Sequence, residues 1–318
     1  MAAMNRRAAL ALGLALAGLA AQPLAAQEAP KELRIGYQKA GLPVIARQQK
    51  AIEKRLAAQG TNVRWVEFTA GPPLLEAMNV GSVDVGWTGD APPIFAQAAR
   101  AAIVYVAALP SNGAGEAVIV KQDSPIRTLA DLKGRKVGFT KGSSSHNLTV
   151  AALERGGLSY SDITPVYLSP ADAAAAFARD AIDAWTIWDP FLAIAQTRHE
   201  PRLLVTSKEA LKVNTFFLAN KAFAAKNGRT IDLTLAGLDE AAKWADANRP
   251  AVAKALHEVT GVELAAQTLA ADRTDFGILP ITDEIIANQQ KTADRFHKLG
   301  LIPRAITVRD AVWVRPQS

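Results

Sequence analysis

Cysteine is absent from the 318 residues. That excludes disulfides, thiolate metal sites and a cysteine nucleophile. It leaves the compartment open, because an oxidising space permits disulfides without requiring them. Histidine is scarce: His146, His199, His257 and His297 are the four. His257-Glu258 lacks the second histidine of a zinc-protease helix, and His199-Glu200 runs into the helix breaker Pro201. No Gly-x-Ser-x-Gly elbow occurs. An exported ester hydrolase is the rival reading from another class, and it lacks a visible catalytic set. There is also no run of like charge. Thirty-six lysines and arginines against thirty acidic residues give a net charge of +6, scattered along the chain, so no nucleic-acid partner is expected.

What is present begins with location. Arg6 and Arg7 precede a continuous apolar stretch over residues 8–21, and Leu24-Ala25-Ala26 supplies small residues before Gln27. That order predicts a secretory signal peptide over residues 1–26, too short in its apolar part for an ordinary membrane span. The arginine pair stands without the extended twin-arginine motif. Downstream, no apolar run is long enough to cross a bilayer.

The mature chain alternates strand and helix patterns. Strands are expected at residues 32–37, 63–68, 83–87 and 103–108, with helices at 43–58, 74–80 and 92–100 between them. This rhythm predicts an α/β fold with a mostly parallel sheet. Ser111 to Gly115 is rich in turn formers and reads as a crossing into a second α/β unit. That unit holds strands at 116–120, 135–139, 164–168 and 184–188 and helices at 145–155 and 170–178. Residues 215–219 read as a strand crossing back. Helices over 231–247, 249–259, 263–270 and 282–299 are expected to rejoin the first unit. The division is then 27–115 plus 216–318 for lobe 1 and 116–215 for lobe 2.

Three strand-to-helix junctions carry candidate chemistry. Lys141-Gly142-Ser143-Ser144-Ser145-His146-Asn147 places three hydroxyls where a helix starts. A helix start offers unpaired N–H groups and partial positive charge, which suits a tetrahedral oxyanion. A single serine would be enough for a cap. The Lys-Gly order is the reverse of a Walker A loop, which points away from nucleotides. Thr88-Gly89-Asp90-Ala91-Pro92-Pro93 is the second junction. Asp90 either caps its helix or meets an ammonium or hydroxyl group of a ligand. The third is Asp183 to Pro190, where Trp185 and Trp188 point to opposite faces of a strand. Trp188, nearer the carboxyl end, is expected at a cleft, and Asp189 follows it. Gln38, after the first strand, either faces the same crevice or lies in an exposed loop. Ligands of open α/β sheets bind at the carboxyl ends of strands.

Together these strings resemble one family. Residues 34–39, 67–72, 79–84 and 88–90 are followed by 94–97, 132–134, 141–147 and Ile187-Trp188-Asp189-Pro190. In this order they are similar to the periplasmic aliphatic sulfonate-binding proteins of ATP-driven (ABC) importers, relatives of the taurine- and nitrate-binding proteins. The resemblance implies a type II periplasmic-binding-protein fold: two α/β lobes joined by two crossing strands, with a central ligand cleft. It implies that Gln38, Gly89, Asp90, Ser143, Ser144, Ser145, His146, Trp188 and Asp189 face that cleft. It also implies a small organosulfonate as ligand, a permease in the inner membrane as partner, a periplasmic monomer, and neither cofactor nor metal. Taurine, nitrate or another small anion remains open, as does delivery to a chemoreceptor.

Overall fold

The computed structural model describes residues 29–315; the expected leader lies outside the described residues. Ten strands are present among them, in chain order β1 (Glu32–Tyr37), β2 (Asn62–Glu67), β3 (Val85–Thr88), β4 (Ile103–Leu109), β5 (Glu116–Val120), β6 (Lys136–Phe139), β7 (Thr164–Tyr167), β8 (Ala184–Trp188), β9 (Arg202–Thr206) and β10 (Thr215–Asn220). They form two sheets, ordered β2-β1-β3-β10-β4 and β7-β6-β8-β5-β9. Each is mixed in the same way. In the first, β10 is antiparallel to both β3 and β4. In the second, β5 is antiparallel to both β8 and β9. The remaining strands of each sheet run parallel, as the alternating β-α rhythm predicts.

The inserted antiparallel strands define the two-lobed form. The chain builds β1 to β4, crosses into the second sheet as β5, completes β6 to β9, and returns as β10. β5 and β10 sit inside their sheets, and apart from Glu116, Thr215 and Asn220 their residues are apolar. Every residue of β5 is buried, and Phe216, Phe217, Leu218 and Ala219 of β10 are at most 2% exposed. β-Branched and aromatic residues dominate both, as buried strands require.

Helices cover the sheets with few surprises. The helix expected over residues 43–58 breaks in two, Leu42–Gln49 and Ala51–Leu56, because Lys50 takes a left-handed conformation with φ 52°. The short strand β9 and the helix before it, Phe191–His199, were not evident in the sequence. That helix lacks a marked apolar stripe because it is buried from two sides. Of the C-terminal helices, Gly228–Ala247 and Arg249–Thr260 pack on the first sheet's core. Leu264–Asp272 instead sets Ala266 and Ala270 against Ala193 of the second lobe, so it bridges the lobes rather than simply rejoining the first. No helix among the described residues is long and apolar enough to cross a membrane.

The two crossing segments are tied to each other. The Lys208 N–H donates to the Gly113 carbonyl at 3.0 Å, and Gly113 has φ +71°. A Cβ there would lie 2.4 Å from the Lys208 nitrogen, a backbone atom that cannot turn aside. Gly81 has nearly the same φ, +73°, with open space around it. Gly113→Ala is expected to destabilise the fold by about 3 kcal/mol, combining left-handed strain with overpacking. Gly81→Ala should cost about 1 kcal/mol. Urea-induced unfolding of the two variants measures the difference; equal losses would mean that the crossing is not tightly packed.

Candidate functional site

The carboxyl ends of β1, β3, β6 and β8 converge on one cavity of about 150 Å³ between the two sheets. The crossing segments close its back. Gln38, Gly89, Asp90, Ser143, Ser144, Trp188 and Asp189 all line it. Ser145 and His146 do not.

The helix Ser144–Arg155 begins at this cavity, with Ser143 as its extended N-cap residue. Ser143 does not cap it by its side chain. Its hydroxyl donates to the Thr140 carbonyl at 2.7 Å and meets the Ser145 hydroxyl at 2.7 Å. Those two serines therefore satisfy each other and stiffen the turn. Ser144 is left facing the cavity. No acceptor among the described residues takes the N–H of Ser144 or Ser145, so the helix start keeps its orphan donors. Across the cleft, Gly89 approaches so closely that a Cβ on it would lie 2.9 Å from the Cβ of Ser144. Only glycine permits that contact.

His146 departs from expectation. It is fully buried, away from the cavity, in a nest of Phe139, Phe95, Phe296, Tyr160 and Tyr167. The Gly142 N–H donates to its Nδ1 at 3.2 Å. Nε2 is then the protonated nitrogen and donates to the Tyr160 hydroxyl at 3.0 Å. Burial, assisted by Lys141, depresses its pKa to about 3. His146 thus joins the lobes as an apolar ring with two polar ends, both taken by groups outside the cavity. Ser145, 0% exposed, is likewise a structural residue.

The aspartates are committed to neighbours in the other lobe. Asp90 does not cap its own helix. Its carboxylate accepts from Asn147 Nδ2, whose Oδ1 accepts in turn from Arg295. Arg295 also reaches Glu154 at 3.4 Å. The Asp90 carbonyl accepts from Gln289 Nε2 at 2.6 Å. Burial raises the Asp90 pKa to about 6 against the opposing pull of Asn147. Asp189 is gripped by Arg273 through two bonds, Nε to Oδ2 at 2.8 Å and Nη2 to Oδ1 at 2.9 Å. It also accepts from the Ala193 N–H at 3.0 Å. Burial again raises its pKa to about 6, opposed chiefly by Arg273.

Trp188 lines the cavity while Trp185 is 2% exposed in the core against Phe177, so the opposite-face rule for a strand sorts the pair. Gln38 is buried, and its Nε2 donates to the Trp87 carbonyl at 3.2 Å. Sequence reasoning did not single out Arg273 or Glu116. Arg273 carries no local signal, standing 84 residues from its partner. Glu116 opens an otherwise apolar strand, and a lone acid in a buried run was the available clue. The lining contains the carboxylates of Asp90, Glu116, Asp189 and Asp275, with Arg273 as its described cation.

Two mixed α/β sheets joined by two chain crossings, with a cleft at the strands' carboxyl ends, define the class of two-lobed periplasmic solute-binding proteins. The family model described as NMT1/THI5 like matches residues 56–253. An aliphatic sulfonates-binding protein of Escherichia coli (strain K12) is 44% identical over 307 residues, 94% of this chain and 95% of its own length. One of Bacillus subtilis (strain 168) is 29% identical over 89% of this chain and 86% of its own. Among solved structures, the periplasmic aliphatic sulphonate-binding protein SsuA of Escherichia coli superposes with a TM-score of 0.82, at 42% identity over 91% of this chain and 94% of that one. The alkanesulfonate-binding protein SsuA of Xanthomonas axonopodis pv. citri, bound to MOPS, gives 0.85 at 42% identity over 90% and 99%. The chain belongs to the NMT1/THI5-like family and, within it, to the group of aliphatic sulfonate-binding proteins.

The His146 environment is directly testable. Its ring resonances are expected to stay those of the neutral Nε2–H form between pH 8 and pH 5 in a labelled-imidazole NMR titration. A titration in that range would place the ring in contact with solvent.

Proposed function

We propose that the chain captures an organosulfonate monoanion in this cavity and delivers it to an ATP-driven importer for sulfur uptake. The observation that carries the reading is the start of the helix Ser144–Arg155. Its orphan N–H groups and the Ser144 hydroxyl open on a cavity whose cation is already held by a carboxylate. A sulfonate has three acceptor oxygens and no proton, so uncharged donors suit it. Charge-assisted hydrogen bonds contribute about 1.5–3 kcal/mol each. A few of them, less the cost of ordering, correspond to roughly micromolar affinity. A dianion such as sulfate would face the acidic wall without compensating charge. Trp188, Leu42, Pro92 and Val213 supply apolar surface for a carbon tail. The MOPS-bound relative supports this, since MOPS is itself a sulfonic acid.

The site performs binding without catalysis. The His146 ring is turned away from the cavity, so it is not placed to activate Ser144. The protein acts in the periplasm, exported by the segment over residues 1–26, and works as a monomer with a membrane permease as partner. Gln38, Gly89 and Ser144 contact the sulfonate end, with the backbone of Ser143 and Ser145. Asp90 and Asp189 act indirectly, by holding the lobes together.

Binding calorimetry with butanesulfonate, taurine, nitrate and sulfate in non-sulfonate buffers tests the assignment. Butanesulfonate should bind most tightly and sulfate least. No heat and no thermal shift with any of the four would overturn the ligand class. Ser144→Ala should weaken butanesulfonate by about tenfold or more, from loss of one charge-assisted bond. Ser145→Ala should lower the melting temperature and change affinity less. The reverse order would move the cup to the buried serines.

A further inference from the structure

Glu116 has no role in the lobe-to-lobe ties or in the donor cup, yet it lines the cavity. It opens β5 opposite Trp188 in β8 and is 9% exposed. Its Oε2 accepts from the Ser207 hydroxyl at 2.7 Å. Its Oε1 is buried without a hydrogen-bond partner. Ser144 lines the same cavity, and its hydroxyl is among the groups that favour the charged carboxylate. An unsatisfied buried carboxylate oxygen is costly. Here it adjoins the one cup hydroxyl that faces the ligand.

Among the described residues, no cation bears on Glu116. Asp90, at the start of the helix Ala91–Ala98, and Asp189, after β8, both bear on it as negative charges. Arg273, the cation nearby in the lining, is held by Asp189. From the remaining neighbouring elements, Ser144 and Ser207 present only hydroxyls.

We propose that Glu116 is a proton-taking member of the binding site, carrying its proton whenever an organosulfonate occupies the cleft, so that capture of the anion draws one proton from solvent. This rests on the sulfonate reading above. The physical reason is the direction of the Ser144 hydroxyl. An ionised Glu116 accepts the Ser144 proton and turns the serine's lone pairs towards the ligand. A protonated Glu116 has an O–H to donate to Ser144 Oγ, which releases the serine proton for a sulfonate oxygen. The second arrangement gives a sulfonate oxygen a donor; the first sets the serine's lone pairs against that oxygen.

The titration range fits. Burial first, and Asp90 second, raise the Glu116 pKa to about 7, with Ser144 and Ser207 pulling the other way. A bound anion raises it further. Above about pH 7 the empty site is therefore ionised and the filled site protonated. Affinity is lost as pH rises, by about tenfold per unit for one linked proton. Below pH 6 both states hold the proton and the dependence disappears.

The experiment is calorimetry of butanesulfonate binding between pH 5.5 and 8.5, with each pH measured in two non-sulfonate buffers of unlike ionisation enthalpy. The expected result is an uptake approaching one proton per ligand at the alkaline end and near zero at the acid end. Glu116→Gln should bind without that uptake and with a flat profile above pH 7. Ser207→Ala, which removes a hydroxyl that favours the charged form, should move the midpoint to higher pH. Binding without proton uptake in the native protein overturns the proposal and leaves the sulfonate reading standing. Uptake that persists in Glu116→Gln overturns the assignment to Glu116. No binding heat at any pH sinks the sulfonate reading and this proposal with it.

Discussion

The ion pair between Asp189 and Arg273 sets the charge of the cavity wall. Arg273 is the cation available to the cavity wall, and both of its carboxylate-facing nitrogens are taken, at 2.8 and 2.9 Å. Removing either partner of a partly buried pair of this geometry would leave the other as an uncompensated charge. The consequence is a binding surface of dipoles. Donors at a helix start attract an anion but do not neutralise a second negative charge. Phosphate recognition by arginine clusters follows the opposite logic, with fixed cations directed at the ligand.

The same pair is one of several ties between the lobes. Asp189 reaches Arg273 on one side, and Asp90, Asn147 and Arg295 form a chain on the other. Gly89 against Ser144 and the aromatic nest around His146 fill the space between. The lobes are thus in contact around the cavity. Closure in this fold is a population shift, and a ligand favours the closed form by as much as it contacts both lobes. The cup places donors from the second lobe opposite the β3 end of the first, so one small anion can touch both.

The candidate site was partly legible from residue order. Trp188 and Trp185 separate as strand geometry requires, and Ser144, Gly89 and Gln38 line the cavity at strand ends. The run Ser143-Ser144-Ser145-His146 was misleading because its members were read as one surface. Successive helical residues turn by about 100°, so neighbours at a helix start point in different directions. Ser144 meets the cleft, Ser145 turns inward to Ser143, and His146 faces the aromatic nest. Asp90 and Asp189 sit at the cavity, but their carboxylates are occupied by Asn147 and Arg273. The helix Phe191–His199 and β9 went unread because surfaces buried on more than one side lose the periodicity that identifies amphipathic elements.

The order of residues determined by itself the α/β rhythm, the strand-to-helix turns and the hydroxyls at one helix start, because each depends on neighbours a few positions apart. Only the tertiary structure decided which serines line the cavity, that Arg273 is held by a carboxylate 84 residues away, and that Glu116 is buried at the cavity with an oxygen unpaired. Those outcomes depend on where two sheets, each completed by a strand from the other side of a crossing, come to rest. Long-range contacts of this kind leave no trace in local pattern.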